Sequence, residues 1–126
     1  MKYDILVIGG GAGGLVTAAG SKGVGASVAL IERNLLGGDC LVNGCVPSKA
    51  FLRAANLINA CRNAKEHHAD VGDVKVNFAE VMNRMEKIRA GISDNDSAFR
   101  FSKALGVDLF LGQARFTSKS TVEVNG

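Results

Sequence analysis

Two cysteines, Cys40 and Cys45, stand in the segment GGDCLVNGCVPSK, residues 37–49. Four residues separate them, and Gly44 gives the chain freedom to bring the sulfurs together. A disulfide needs Cα atoms about 4.4–6.8 Å apart, which a helical or turn-like stretch of this length can supply. Pro47 suits a first helical turn, and Ser48 with Lys49 continues it. Cys45 then lies near a helix start with Lys49 one turn away, and both features stabilise a thiolate. The chemistry on offer is thiol–disulfide exchange. A second pattern lies upstream, where Gly9, Gly11 and Gly14 satisfy G-x-G-x-x-G. Such a turn suits a dinucleotide: Gly9 permits the tight bend, Gly11 lets the backbone approach a diphosphate, and Gly14 lets helix and strand pack closely. The helix that follows offers free N–H groups and a partial positive charge to the phosphates. Glu32, at the end of the next strand, can accept hydrogen bonds from ribose hydroxyls and argues against a 2′-phosphate there.

These groups need a scaffold, and the hydrophobic pattern supplies one. YDILVI, residues 3–8, reads as a buried parallel strand. A helix follows the glycine turn, with Leu15, Val16, Ala18 and Ala19 suited to packing and Gly23 to Gly25 ending it. ASVALIE, residues 26–32, is the second strand of a βαβ unit. Residues 33–47 read as loop, and 48–65 as helix, with Phe51, Leu52, Ala55 and Ile58 at near-helical spacing. A connection through His67 and His68 leads to a long helix over about 78–105, with Val81, Met85, Ile88 and Ile92 on one face. Asp94, Asn95 and Asp96 weaken or bend it. Residues 107–116 read as a strand broken at Gly112, and 121–124 as another, with Asn125-Gly126 a hairpin-turn signal. The expected class is α/β, a Rossmann-like domain with a parallel sheet and the start of a β-meander. Ending at a turn, the chain is expected to be an N-terminal piece of a longer protein.

Gly37, Gly38, Cys40, Cys45, Pro47, Ser48 and Lys49 match the pattern GG-x-C-x4-C-x-P-S-K. On these residues and the upstream fingerprint, the chain resembles the class I pyridine nucleotide-disulfide oxidoreductases. That group includes dihydrolipoyl dehydrogenase, glutathione reductase and mercuric reductase. Residues 87–116 look most like the mercuric reductase-like branch, and Leu41-Val42-Asn43 is a local departure from the usual residues between the cysteines. The resemblance implies residues 1–126 as the N-terminal part of an FAD-binding domain, without the nicotinamide-binding and dimerisation domains. It implies FAD as cofactor and NAD(P)H as co-substrate. Cys45 is then the flavin-proximal sulfur and Cys40 the interchange sulfur that meets a small disulfide or a mercuric ion. Lys49 lies near the flavin N5, Gly9, Gly11, Gly14 and Glu32 hold the ADP half, and Gly38 and Asp39 line the cofactor. A homodimer is implied. The first strand is central in the family fold, so one of its edges is expected to be uncovered, inviting pairing with another chain. The isolated chain is expected not to turn over NAD(P)H; a catalytically inactive FAD- or nucleotide-binding module and an interaction fragment are the alternatives.

Composition agrees with a small globular unit: 126 residues, 47% hydrophobic and 21% charged, with sixteen glycines and one proline. The net charge of +3 is dispersed, so no nucleic-acid stripe is expected. No apolar run approaches the roughly 20 residues of a membrane span, and no secretion signal opens the chain. A cytoplasmic protein is expected, in which a close cysteine pair serves redox chemistry or metal binding rather than as a staple. Cys61 reads as a small core residue near Leu57 and Ile58. A zinc site from Cys40, Cys45, Cys61, His67 and His68 is not expected. Their spacing is looser than that of structural zinc, and adjacent histidines cannot easily face one ion. Both histidines read as solvent-facing.

Overall fold

The protein is described by a computed structural model covering residues 1–125. A three-stranded parallel sheet is formed by β1 (Ile5–Ile8), β2 (Val28–Glu32) and β3 (Asp108–Leu111), in the order β1-β2-β3. Ile5 pairs with Val28 and Ile8 with Ile31, while Ala29 pairs with Asp108 and Glu32 with Leu111. Helix α1 (Ala12–Gly23) joins β1 to β2, as the glycine turn followed by small and apolar residues predicts. It stops where Gly25 adopts φ 92°, a conformation that costs glycine little. Val7, Val28 and Leu30 share one face of the sheet and pack with Leu15 and Ala18 of α1.

β2 is buried along its whole length. β1 differs from the sequence expectation: Ile5 and Leu6 are exposed, and Ile8 is 47% exposed. The reason is position. β2 is the only strand beside β1 among the described residues, so the outer edge of β1 has no strand neighbour. Val16 also departs from its assigned packing role and is 74% exposed, because Leu15 and Ala18 point α1 at the sheet and Val16 sits on the other side of the helix.

The opening of β1 is fastened to the opening of β2 by a polar clasp. Ser27 donates from its N–H (2.8 Å) and its hydroxyl (2.6 Å) to the Asp4 carboxylate, and the Asp4 N–H donates to Ser27 Oγ at 2.9 Å. The Ser27 hydroxyl and then the Ser27 N–H hold the Asp4 pKa below its usual value. A lowered carboxylate pKa contributes stability above the unfolded value, and that contribution is lost as pH falls through the folded value. The gap in thermal midpoint between the wild type and Asp4→Asn is therefore expected to close as the medium is acidified below the normal aspartate range. A gap that stays constant across that range in a melting series contradicts the clasp.

The connection from β2 to β3 carries the remaining helices. Residues 33–47 are not all loop: α2 (Gly38–Val42) forms within them. α3 (Cys45–Arg62) begins before Ser48, at Cys45 itself, because Pro47 is tolerated in a first turn whose N–H groups have no helical acceptor. It ends at Arg62, and a 3-10 turn over Ala64–His67 follows, so the helix expected to reach residue 65 is shorter. Both histidines are exposed. The inward stripe of α3 runs through Pro47, Ala50, Phe51, Ala54, Ile58 and Cys61, whereas Leu52 and Ala55 face outward. Cys61 is thus half-buried rather than in a closed core, and Leu57 beside it is 58% exposed.

α4 (Phe78–Ser93) packs on α3, with the rings of Phe51 and Phe78 stacked at 6.4 Å. The helix expected to run to 105 stops at Ser93. Asp94 to Ser97 form turns, and Ser97 Oγ then accepts from the Arg100 N–H at 3.2 Å, capping a new turn. The π-helical turn Arg100–Ala104 delivers Phe101, 1% exposed, into the core beside Leu30 and Val107. One continuous helix from Phe78 could not place Phe101 there. After β3, Gly112 breaks the strand at φ 154°, and β4 (Ala114–Phe116) pairs antiparallel with β5 (Val122–Val124). The turn signal at Asn125-Gly126 falls partly outside the described residues. Asn125 itself has φ 56°, and its side chain accepts from the Gln113 N–H (3.0 Å) and donates to the Leu111 carbonyl (3.1 Å).

Candidate functional site

The site begins where β1 ends. Gly9 adopts φ 105°, which reserves the position for glycine and turns the chain sharply into α1. A Cβ on Gly14 would lie 1.8 Å from the Gly9 carbonyl oxygen, so this glycine sets how closely α1 sits on the strand. A Cβ on Gly11 would meet nothing within 4 Å, since it would point into open space. Gly11 also caps α1 without a side chain, leaving the first-turn N–H groups free of any capping acceptor. The three glycines therefore occupy the three positions their spacing assigns: bend, open approach and close packing.

Glu32 is 8% exposed, and its carboxylate is held by backbone. The Gly10 N–H donates to Oε2 at 2.6 Å and the Asn34 N–H to Oε1 at 2.7 Å. Each oxygen keeps a second lone pair for another donor. Gly9, Gly11, Glu32, Gly38 and Asp39 together line an open cavity of about 550 Å³. Sequence reading missed the part of the lining that Gly112, Gln113 and Ala114 supply. Gly112 arrives there because its N–H donates to the Glu32 carbonyl at 2.8 Å, which extends the β2–β3 ladder by one residue. The strand break at Gly112 was the one signal that marked it.

The cysteine segment is docked directly onto the glycine turn. Gly37 bridges to Gly11, and its N–H donates to the Gly10 carbonyl at 2.8 Å. Gly37 and Gly38 have φ of 95° and 57°, and a Cβ on Gly38 would stand 2.8 Å from the Gly11 Cα. The paired glycines are thus required by a close backbone approach between two loops. α2 then carries Cys40, half-buried, and α3 opens with Cys45, exposed. Both are free thiols. The Gly44 N–H folds back to the Asp39 carbonyl at 2.6 Å, and a Cβ at Gly44 would come 2.9 Å from that oxygen. This tight reversal between α2 and α3 brings the two sulfurs together.

A side-chain hydrogen bond with Cys45 raises the Cys40 pKa above the ordinary thiol value, burial adds to the rise, and the Lys49 charge opposes it. Cys40 accordingly holds its proton against the neighbouring sulfur. Cys45 sits at the N-terminus of an 18-residue helix. Lys49 is exposed one turn into α3, is not among the residues lining the cavity, and acts on Cys40 through its charge. Among the described residues, no three His, Cys, Asp or Glu side chains gather as a metal site. Cys45→Ala removes the largest cause of the Cys40 shift. The pH profile of Cys40 alkylation, followed by peptide mass spectrometry, is expected to move to lower pH in that variant; an unmoved profile means that the sulfurs do not interact.

No helix is long and apolar enough to cross a membrane among the described residues. The family model for pyridine nucleotide-disulphide oxidoreductases matches residues 3–126. The chain is 34% identical to a dihydrolipoyl dehydrogenase from Acholeplasma laidlawii over 126 residues, covering 99% of this chain and 37% of that protein. It is 35% identical to a mercuric reductase from Lysinibacillus sphaericus over 125 residues, covering 99% of this chain and 23% of the relative. Among solved structures it resembles the Cu(II) complex of the HOCl-induced flavoprotein disulfide reductase RclA from Escherichia coli. That likeness has a TM-score of 0.72 at 25% identity and covers all of this chain and 25% of the other. The chain therefore spans between about a quarter and two-fifths of the length of these proteins. The family implies FAD with NAD(P)H, and a glycine turn open to a diphosphate beside a buried ribose-ready carboxylate fits the FAD. With the family model matched over nearly its whole length, the chain belongs to the pyridine nucleotide-disulphide oxidoreductase family.

Proposed function

We propose that residues 1–126 are the N-terminal part of the FAD-binding domain of a flavoprotein disulfide reductase. In this reading Cys40 and Cys45 cycle between dithiol and disulfide and act on a small disulfide or a mercuric ion. The nicotinamide-binding and dimerisation parts lie outside these residues, and the working protein is a homodimer. A cytoplasmic setting belongs to the same reading, since a reducing compartment suits a catalytic rather than a structural cysteine pair. The observation that carries it is the tight reversal at Gly44, which folds the start of α3 back on α2 and leaves Cys45 near enough to raise the Cys40 pKa.

Bound FAD supplies two-electron transfer between a reduced nicotinamide and a disulfide. The first-turn N–H groups of α1 hold its diphosphate, with Gly9, Gly11 and Gly14 keeping that approach open. Glu32 accepts from ribose hydroxyls, and Gly38 and Asp39 wall the cofactor. Lys49 places positive charge beside the sulfurs. Towards a disulfide substrate, deprotonated Cys40 attacks one sulfur, forming a mixed disulfide and releasing the first substrate thiolate. The Cys45 thiolate then attacks the Cys40 sulfur, releasing the second and leaving a Cys40–Cys45 disulfide. Two electrons pass from the pair to the substrate. The raised Cys40 pKa lowers its thiolate fraction but makes the thiolate formed a stronger nucleophile.

Oxidised dithiothreitol tests the pair in the chain as it stands. The tryptic peptide over residues 34–49 holds both cysteines, and Cys61 falls on a different peptide. After oxidation, peptide 34–49 is expected to be lighter by two hydrogens and resistant to alkylation, with Cys61 still alkylated. A crosslink to Cys61, or none, overturns the reading.

A further inference from the structure

We propose that Arg89 is a positioning residue for the redox pair, acting through the carbonyl of Val42. This rests on the reading of Cys40 and Cys45 as a redox couple. Val42 ends α2, two residues after Cys40 and three before Cys45, so its place fixes both ends of the reversal between them. Being at a helix C-terminus, its carbonyl has no partner within the helix. No backbone amide outside α2 reaches it among the described residues. Arg89 does: its Nη1 donates to the Val42 oxygen at 3.1 Å, across 47 positions of sequence.

The donor is itself held. Arg89 Nη2 pairs with Glu86 one turn back on α4, so the guanidinium is aimed by one end and spent on the carbonyl at the other. The side chain is half-buried at 34% exposure, in the partly buried setting where a charge-assisted hydrogen bond is strong. Val42 lies between the cavity walled by Glu32 and a second cavity of about 480 Å³ that Arg89 lines. Arg89 is thus the link from α4 to the strip of backbone that separates the cofactor space from the α2–α4 groove. Other tertiary ties on the cysteine segment include backbone contacts at Gly37 and Gly38, which precede Cys40, and the burial of Leu41, which follows it. Arg89 adds a side-chain hydrogen bond to the backbone between the cysteines.

A tie of this kind favours the disulfide. Oxidation replaces two S–H groups by one S–S bond and needs the sulfurs in bonding geometry, so freezing the connecting backbone raises their effective concentration. In exchange with oxidised dithiothreitol, deprotonated Cys40 attacks the ring disulfide, and the Cys45 thiolate resolves the mixed disulfide. Two electrons move from the pair to the reagent.

The test is the equilibrium constant of this exchange, read by alkylation and mass spectrometry of peptide 34–49, in the wild type and in Arg89→Met and Arg89→Lys. Methionine matches the apolar stem without a donor, and lysine keeps one donor within reach. Arg89→Met is expected to shift the constant towards the dithiol about tenfold, or about 30 mV in potential, and Arg89→Lys to recover most of it. A folded Arg89→Met with the wild-type constant overturns the proposal while leaving the redox pair intact. A wild type that forms no Cys40–Cys45 disulfide overturns the underlying reading instead. If Arg89→Met does not fold, Glu86→Gln leaves the arginine but not its aim: a shift of the same sign supports the role, and an unchanged constant overturns it.

Discussion

Gly14→Ala is expected to lower stability by about 3 kcal/mol or more, the upper range for forcing atoms into a packed site. The added Cβ would stand 1.8 Å from the Gly9 carbonyl oxygen, which is backbone and cannot rotate away. α1 must lift from β1, carrying Leu15 and Ala18 out of the core they share with Val7 and Leu30. The thermal midpoint should fall by about 10 °C or more. Gly13→Ala, one residue earlier on the same helix, is expected to do the opposite. Its Cβ meets nothing within 4 Å, and alanine gains up to about 1 kcal/mol over glycine in a helix. Thermal melts of the two variants thus have opposite signs. Equal destabilisation by both would mean that helix–strand approach does not depend on Gly14.

The second large effect is at Glu32. Glu32→Ala strips the acceptors from the Gly10 and Asn34 N–H groups at a position that is 8% exposed. Two charge-assisted bonds go, and a buried donor left unsatisfied costs further, so a loss of about 3 kcal/mol is expected. Glu32→Gln is more instructive because its shape is unchanged. Its amide oxygen can serve one of the two N–H groups, but its NH₂ must face the other, donor against donor. It should lose about half as much stability and, by tilting the glycine turn, weaken flavin binding measured by fluorescence quenching. A glutamine variant as stable as the wild type would show that the carboxylate serves the ligand alone and not the turn.

The bracing of the glycine turn by Glu32 was not legible in the sequence. The spacing from the G-x-G-x-x-G turn predicts a ribose acceptor at the end of β2, and the cavity has Glu32 on its wall. That the same carboxylate braces Gly10 depends on how β1 and β2 align, with Ile8 opposite Ile31. The helix expected over residues 78–105 shows the same division. Its apolar spacing correctly marks α4 as far as Ser93. The Asp94 to Ser97 cluster could bend a helix or end it, and the burial of Phe101 settles the choice. Leu52, Val16 and Ile8 have the side chains of core residues yet lie exposed, since hydrophobicity marks what can be buried and not which face is covered.

Sequence alone determined the turn at Gly9, the open approach at Gly11, the close packing at Gly14, and the possibility that Cys40 and Cys45 meet. Each depends on steric limits and reach within a few residues of chain, which residue type and spacing state directly. Only the tertiary structure decided what lies against these local devices. Gly37 and Gly38 dock on Gly10 and Gly11, Gly112 lines the cavity beside Glu32, and Arg89 reaches Val42 from α4. Those contacts join segments far apart in the chain, and they form when burial of Leu30, Phe101 and Val107 in one core outweighs the entropy of closing the long loops between them.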